Sequence, residues 1–279
     1  MKLLRILSFV AILGLAFTSC SKDDSNDQPT PAKKQLVKIS STTTYVGDSR
    51  IDKETLNLNY DTKGLLSEVT SSKVEGSDPV INRTFSYSYN EQGKVSKITF
   101  NCDGESTVNT ISYSGSKRTI LQGANYPDGN EYKIKTEQDL NSEGKPIKEQ
   151  AYNYKDGQWV KYYGQSSGSF EWSNGNLTKT VDHSGSTTVY QYDAKKGLGL
   201  NLDAIWFTDI EYCETLGHLL DYVRPNLNNM LKVVTTNGSE ISTTTYKNTY
   251  DTDGYLIKVE VNYKSGNEEE NTTIEYTYK

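Results

Sequence analysis

The chain has 279 residues and a formal net charge of −6, with 21 Tyr, 6 Pro, 3 Cys and 2 His. An acidic chain does not favour binding to nucleic acid or to anionic lipid headgroups, and so few His and Cys residues do not favour a zinc site. Tyrosine and the abundant threonine suit a pleated, half-wetted surface, so the composition predicts a protein rich in β-strands.

Residues 1–19 are predicted to be an export signal. The first five residues carry two positive charges, residues 6–17 are mostly apolar, and two small residues precede Cys20. The apolar stretch is too short for a comfortable transmembrane helix. The segment from Phe17 to Cys20 resembles the bacterial lipobox, which implies that Cys20 becomes the acylated N-terminus of the mature chain. The alternative is an ordinary signal peptide followed by an incidental cysteine.

Residues 20–34 are predicted to be a tether. Lys22, Asp23 and Asp24 resemble the export signal that Bacteroidota surface lipoproteins carry beside the acylated cysteine, which implies transfer to the outer leaflet. The alternative is a charged, solvated tether without an export role. Under either interpretation this segment has few apolar groups to bury and should be disordered or extended. A single ordered domain is then expected over residues 35–279.

A short phrase recurs through that domain. It consists of an aromatic residue, Asp or Asn, two polar residues and Gly, and an alternating run follows it. The Asp or Asn side chain can bond its own backbone, Gly takes the positive-φ position of a tight turn, and the aromatic ring anchors the end of the incoming strand. The clearest copies begin at Tyr60, Tyr89 and Tyr250, and weaker ones lie at 113–115, 140–144, 154–157, 172–175 and 192–197.

Apolar and polar residues alternate between these turns, for example over 85–89 and 95–100. Such a pattern gives each strand one apolar and one polar face. Consecutive hairpins of this kind predict an all-β fold, a long antiparallel meander that curls into a trough or closes into a barrel.

The phrase is interrupted between residues 198 and 231, where apolar residues recur at helical spacing. Asp209 suits the N-terminus of a helix and Pro225 its end, so a short helix is predicted over about 209–222. We expect it to pack against the concave face or the mouth of the sheet, with Trp206 and Phe207 wedged at its start.

Cys102 and Cys213 are the two cysteines beyond Cys20. An exported protein can oxidise such a pair to a disulfide, but the two residues lie far apart in sequence. We favour two unpaired thiols, and the disulfide stays the alternative.

No catalytic set emerges from the sequence. Asp182 and His183 could belong to a Ser-His-Asp relay only with a distant serine, and no nucleophile elbow is present. Residues 251–254 resemble the opening of a calcium loop, but Asn262 occupies the position of the closing glutamate, so turn chemistry explains them better. We therefore predict no catalytic residue, no metal and no cofactor.

The aromatic residues are the remaining candidates for ligand contact. Exposed rings can stack on sugars or hold extended peptides. Cross-strand pairing that only stabilises the sheet is the competing interpretation for each ring. The candidates are Trp159, Tyr162, Tyr163 and Trp172, together with Trp206 and Phe207.

The Tyr-Asp-x-x-Gly phrase is similar to the YD repeat of RHS-type proteins, which build shells from linked hairpins. Taken with Cys20, the 22–24 segment and the segments 190–196 and 228–232, the chain more closely resembles a Bacteroidota lipoprotein family without an assigned function and with a porin-like fold. The resemblance implies a lipid-anchored protein of the outer membrane that faces the cell exterior. The outward strand positions are Ser, Thr, Lys, Asn and Glu and the mean hydropathy is −0.69, so we expect a water-soluble domain and not a membrane-spanning barrel.

Three functions remain open. The leading hypothesis is a non-enzymatic binding or scaffold module that holds a glycan, lipid or peptide in the trough. The second is a carbohydrate-active hydrolase with a pair of carboxylates in the concave face. The third is a structural or adhesive envelope protein without a small ligand.

Overall fold

The computed structural model describes residues 34–102, 104–125, 131–161, 167–198 and 226–279. Residues 34–279 form one compact unit. The predicted export signal and most of the tether, with Cys20, Lys22, Asp23 and Asp24, lie outside the described residues. So do the predicted helix over 209–222, Cys213, and the candidate residues Tyr162, Tyr163, Trp206 and Phe207.

The described residues form strands and turns without a helix, as an all-β fold requires. None of them forms a helix with the length and apolarity that crossing a membrane requires. The strands are β1 (Leu36–Tyr45), β2 (Ile51–Tyr60), β3 (Leu66–Glu75), β4 (Ile81–Tyr89), β5 (Val95–Cys102), β6 (Glu105–Ser114), β7 (Lys117–Asn125), β8 (Glu131–Leu140), β9 (Pro146–Lys155), β10 (Gln158–Lys161), β11 (Gly168–Ser173), β12 (Asn176–Val181), β13 (Thr187–Lys196), β14 (Asn228–Asn237), β15 (Glu240–Tyr250), β16 (Leu256–Ser265) and β17 (Glu268–Tyr278).

These strands form a closed antiparallel barrel. β1 pairs with β2 on one side and with β17 on the other, so the sheet has no free edge at the chain ends. β10 and β11 pair with successive parts of β9, at 152–155 and 148–149, and therefore share one place in the wall. Seventeen described strands thus occupy sixteen places. An even number of places allows every neighbouring pair in a closed meander to be antiparallel. The sequence predicted either a trough or a barrel, and the structure is a barrel.

The predicted turn chemistry is confirmed. The Asp61 Oδ1 atom accepts hydrogen bonds from the backbone N–H groups of Lys63 and Leu65, both at 2.8 Å. Gly64 follows with a φ of 78°, a conformation that costs little only for glycine. The same pair of side-chain-to-backbone bonds is repeated at Asn90, Asn141, Asp182 and Asp251.

The aromatic residue of the phrase ties its strand to the preceding one. The Tyr60 hydroxyl donates to the Leu36 carbonyl at 2.6 Å, and Tyr89 donates to Leu66 at 2.6 Å. In both cases the acceptor is the first residue of the preceding strand. The contact is repeated by the hydroxyls of Tyr113, Tyr192 and Tyr278 on Val95, Leu177 and Leu256, and by the indole N–H of Trp172 on Pro146.

The two ends of the barrel differ. At the core end, which carries the turns after β2, β4 and β15, inward-facing apolar side chains such as Leu56, Ile98 and Ile274 are almost completely buried. Phe85 and Phe100 pack there with ring centroids 4.7 Å apart. At the cavity end, which carries the turns after β1, β3 and β16, the inward positions are polar and the interior is not filled.

Candidate binding cavity

A polar cavity with a volume of about 710 Å³ lies inside the cavity end, between the walls formed by β1–β3 and β13–β17. Most of its lining residues alternate along the strands, as at 41, 43 and 45 or at 268, 270 and 272, and these belong to the inner face. The volume is in the range of small-molecule sites. Half of the lining residues carry a hydroxyl group: Ser41, Thr43, Tyr45, Thr188, Tyr190, Thr235, Ser242, Thr244, Tyr246, Tyr263 and Thr272.

One wall carries a cluster centred on Asp52, whose side chain is 8% exposed. Arg50 donates to both of its carboxylate oxygens, with Nε at 2.8 Å from Oδ1 and Nη2 at 2.6 Å from Oδ2. The Tyr45 hydroxyl donates to Oδ2 at 2.6 Å and the Gly76 N–H to Oδ1 at 3.0 Å. Burial alone would raise the pKa of Asp52, but the bonds from Arg50 and Tyr45 outweigh it and hold that pKa below its usual value.

The same arginine also contacts a second acid. Arg50 Nη2 lies 3.3 Å from Glu75 Oε2, and Lys73 forms an ion pair with Glu75. The Arg50 guanidinium additionally lies over the Tyr45 ring, 5.1 Å from its centroid. Arg50 and Lys73 are therefore both bound to carboxylates of the same cavity wall.

Glu54 faces the cavity next to this cluster and is only 6% exposed. The Ser71 hydroxyl donates to Glu54 Oε1 at 2.6 Å. Burial raises the pKa of Glu54, and the bond from Ser71 and the nearby charges of Lys73 and Arg83 oppose this shift without cancelling it.

Two further acids, Glu268 and Glu270, line the cavity from β17. Glu270 lies directly across from Tyr45 on β1 and from Tyr263 on β16. Within the described part of the chain, neither acid forms an ion pair with a Lys or Arg side chain. These two carboxylates thus leave the cavity with negative charge that the described wall does not neutralise.

The sequence analysis allowed a pair of carboxylates in the concave face but named no charged inward residue. The signal was present in β2, where Asp52 and Glu54 share the alternation of the buried Leu56 and Leu58. Acidic residues that alternate in step with core residues lie on the inner face of the sheet. Burying their charge is costly in an apolar core, so they indicate a polar interior at that end of the barrel.

The aromatic candidates lie in different surroundings. Trp159 is half-buried on β10, packs edge-on against Tyr154 with centroids 5.1 Å apart, and lies beside Lys135. Trp172 instead packs against the small core formed by Leu177, Tyr190 and Met230. The structure therefore brings Trp159 together with Tyr154 and not with Trp172, and neither tryptophan lines the large cavity.

The histidine and calcium-loop patterns have structural explanations. His183 Nε2 lies 3.6 Å from Glu149 Oε1, whereas Asp182 accepts bonds from Ser184 and from its own turn. Lys34 Nζ lies 2.7 Å from carboxylate oxygens of both Asp251 and Asp253. A lysine therefore occupies the position next to these acids, and no group of three or more metal-ligating side chains occurs among the described residues.

The segments 190–196 and 228–232, on which the family resemblance partly rests, lie in the paired strands β13 and β14. Asn176 and Asn228 exchange two bonds, from Asn176 Nδ2 to Asn228 Oδ1 at 2.9 Å and from Asn228 N to Asn176 Oδ1 at 3.0 Å. Tyr250 donates to Asp193, and Asn248 donates to the same Asp193 oxygen at 3.1 Å. These polar contacts link β12 to β14 and β13 to β15, strands that are separated by one strand in the sheet.

The comparisons with known proteins agree with this architecture. The RHS Repeat family matches residues 172–195, which run from the end of β11 through β13. None of the curated proteins compared with the chain matches its sequence. The crystal structure of a porin-like protein from Bacteroides uniformis ATCC 8492 superposes with a TM-score of 0.55 at 16% identity and covers 88% of this chain and 99% of that chain. A porin-like protein from Bacteroides vulgatus ATCC 8482 gives a TM-score of 0.41 at 15% identity with the same coverage.

At this identity the likeness to the first structure concerns the fold. The predicted resemblance to porin-like proteins of Bacteroides and to RHS-type hairpin repeats is confirmed. The predicted lipid attachment stays a prediction. The chain is thus similar in fold to a porin-like protein from Bacteroides uniformis and, over residues 172–195, similar in sequence to the RHS Repeat family.

Proposed function

We propose that this protein is a non-enzymatic binding module of the bacterial cell envelope that holds a hydrophilic ligand inside its barrel. The observation that carries the proposal is the cavity of about 710 Å³ with its lining of hydroxyl and carboxylate groups. Such a lining can exchange hydrogen bonds with a polar ligand, whereas an acyl chain would leave these groups without partners. Among the predicted ligand classes, the cavity supports a glycan or a short peptide over a lipid.

We further propose that the barrel is held at the outer membrane by a lipid on Cys20 and faces the medium. The outward positions of β2 support a barrel surrounded by water, because Lys53, Asn57 and Asn59 are exposed there. A Cys20→Ser variant should not incorporate labelled palmitate and should leave the membrane fraction. Combined alanine substitutions of Lys22, Asp23 and Asp24 should keep the lipid but remove the domain from reach of a protease added to whole cells.

The binding proposal is tested with the chain from Lys22 onward, which retains the compact unit 34–279. Thermal unfolding is followed with neutral sugars, amino sugars, short peptides and fatty acids. A ligand that binds only the native state must raise the melting temperature, so we expect a saturable shift for a hydrophilic class and none for fatty acids. The absence of a shift with every class would favour the structural or adhesive function.

The hydrolase alternative would need a protonated acid and a free carboxylate facing one substrate. Glu54 and Asp52 are adjacent inward residues whose pKa values shift in opposite directions. Both oxygens of Asp52 already accept bonds from Arg50, Tyr45 and Gly76, so Asp52 is not placed to attack a substrate or to activate water. Release of reducing sugar that is lost in a Glu54→Gln variant would restore this alternative.

A further inference from the structure

The cavity wall already binds cationic side chains of the chain itself, and Arg50 shows the contacts most clearly. The Arg50 guanidinium makes two bonds to Asp52 and lies 5.1 Å from the centroid of the Tyr45 ring. A carboxylate and an aromatic face together form a recognised environment for cationic groups. The inner face of β1 and β2 therefore provides an environment that stabilises a positively charged group.

The adjacent strands β16 and β17 also place a carboxylate and an aromatic ring on the inner face, but without a paired cationic side chain among the described residues. Tyr263 on β16 lies directly across from Glu270 on β17, and both face the cavity. Glu268 lies two positions away on the same face. In the described part of the chain no Lys or Arg is paired with either glutamate, although the equivalent acids Asp52 and Glu75 are paired with Arg50 and Lys73.

The charges of the wall also disfavour an anionic ligand. Arg50 and Lys73 are engaged with Asp52 and Glu75. Lys53 is also among the lining residues, but it alternates with Asp52 and Glu54 along β2 and is exposed, so its side chain belongs to the opposite face. Because Arg50 and Lys73 are already bound to carboxylates, an anion entering the cavity would approach the negative charges of Glu54, Glu268 and Glu270.

We propose that the cavity selects a hydrophilic ligand that carries a protonated amine, bound between Glu270, Glu268 and the ring of Tyr263, with the threonine hydroxyls holding its neutral polar groups. This inference rests on the proposed binding function and names its ligand class. The shared chemistry is a primary ammonium group on a small polar molecule. An amino sugar and an aliphatic polyamine are its two sources.

The test compares probes that differ in charge. Glucosamine and N-acetylglucosamine have the same ring and differ in the charge of one nitrogen, spermidine supplies the ammonium group without a ring, and glucuronate supplies an anion. Binding to the chain from Lys22 is measured by titration calorimetry at low and at moderate salt. We expect binding of glucosamine or spermidine that weakens with salt, and no binding of N-acetylglucosamine or glucuronate. Which of the two amines binds more tightly identifies the source.

Two variants locate the interaction. Glu270→Gln removes the charge inside the cavity and should weaken amine binding about tenfold, the loss expected for one charge-assisted contact. Glu275→Gln makes the same change on the exposed face of β17 and should leave binding unchanged. Tyr263→Leu should weaken binding, and Tyr263→Phe, which keeps the ring, should not.

The results separate this inference from the proposed function. Equal binding of glucosamine and N-acetylglucosamine, or amine binding that Glu270→Gln does not change, would overturn the charge selection and leave the binding function intact. Binding of glucuronate in preference to the amines would also overturn the charge selection and leave the binding function intact. If none of these probes binds and the wider ligand classes also fail to shift the melting temperature, the proposed function itself is wrong.

Discussion

At the scale of single residues, Glu54 is a carboxyl group in a place that is only 6% exposed. Because burial raises its pKa in the folded state, its protonated form favours folding. This stabilising effect is fully present below the pKa of an unfolded glutamate and is lost as the pH rises through the folded-state pKa. Ionisation of Glu54 therefore lowers stability at neutral pH.

A Glu54→Gln variant should accordingly be more stable than the parent at pH 8, by about 1 kcal/mol, and nearly equal to it at about pH 4. The Ser71 hydroxyl can donate to the amide oxygen as it does to the carboxylate. Urea unfolding at both pH values measures the difference. Glu275→Gln, on the exposed face of β17, should show no such pH-dependent gain. A loss of stability at pH 8 would contradict the conclusion that ionised Glu54 destabilises the folded state.

Gly64 illustrates a purely conformational requirement. Its φ is 78°, and a Cβ atom added there would have no atom within 4 Å. Gly64→Ala should thus cost about 1 kcal/mol of unfolding free energy through the left-handed backbone alone. Gly123 is the matched control, because it lies in β7 without a positive φ and also has open space around its Cβ position. Gly123→Ala should be neutral or slightly stabilising, and equal costs at both sites would refute the explanation.

At the scale of elements, the hydrogen bonds of the phrase tyrosines explain why an aromatic residue precedes each turn. Tyr60 is partly buried, which raises its pKa to about 12, and its hydroxyl bonds the Leu36 carbonyl. Tyr60→Phe keeps the ring but leaves that carbonyl without its partner, so the unfolding free energy should fall by about 1 kcal/mol.

Denaturant titration measures this effect. Tyr154→Phe is the control, since Tyr154 is 46% exposed on the outer face and its contacts are made by its ring. A loss in the control as large as that in Tyr60→Phe would show that the hydroxyl bond to Leu36 is not the cause.

The turns also explain an irregular spacing of apolar residues. The register shifts by one residue between Asn59 and Tyr60, so that Tyr60 faces Leu66 while Asn59 faces Glu68. The extra residue turns the strand, and the next inward positions are Leu66 and Val69, three apart instead of two. Similar shifts follow the turns before β5 and β16. A strict alternation rule would place these residues on opposite faces.

At the scale of the whole molecule, closure joins the first and last strands. Thr42 on β1 lies across from Thr273 on β17 and, on its other side, from Lys53 on β2. A disulfide in the double variant Thr42→Cys/Thr273→Cys would link the two ends of the domain and stabilise it by up to about 5 kcal/mol in the chain-entropy description. Non-reducing peptide mapping identifies the bond, and thermal unfolding measures its effect.

The double variant Thr42→Cys/Lys53→Cys is the control for closure. Its disulfide joins the same position of β1 to the adjacent strand through a short loop, so it should form as readily but stabilise by only about half as much. If the disulfide between β1 and β2 forms and the one between β1 and β17 does not, the first and last strands do not pair in solution.

The sequence by itself determined the hairpins of this protein. Asp61, Gly64 and Tyr60 act on groups within the same turn or the adjoining strand, so their effects can be read from a few consecutive residues. The antiparallel meander followed from repetition of that unit. The predicted lipid attachment and helix concern residues beyond those described, and they stay predictions.

Only the tertiary structure decided that the sheet closes and that its interior holds a charged cavity. Closure pairs Leu36 with Tyr278, and no local pattern specifies a contact across nearly the whole domain. The cavity acids were hidden among 36 Asp and Glu residues, because barrel register and bulges decide which of them share one inner face. Trp159 and Trp172 are near in sequence, yet Trp159 packs beside Tyr154 and Trp172 packs against the small core. Strand pairing and register in the barrel decide which side chains meet, and proximity in sequence does not.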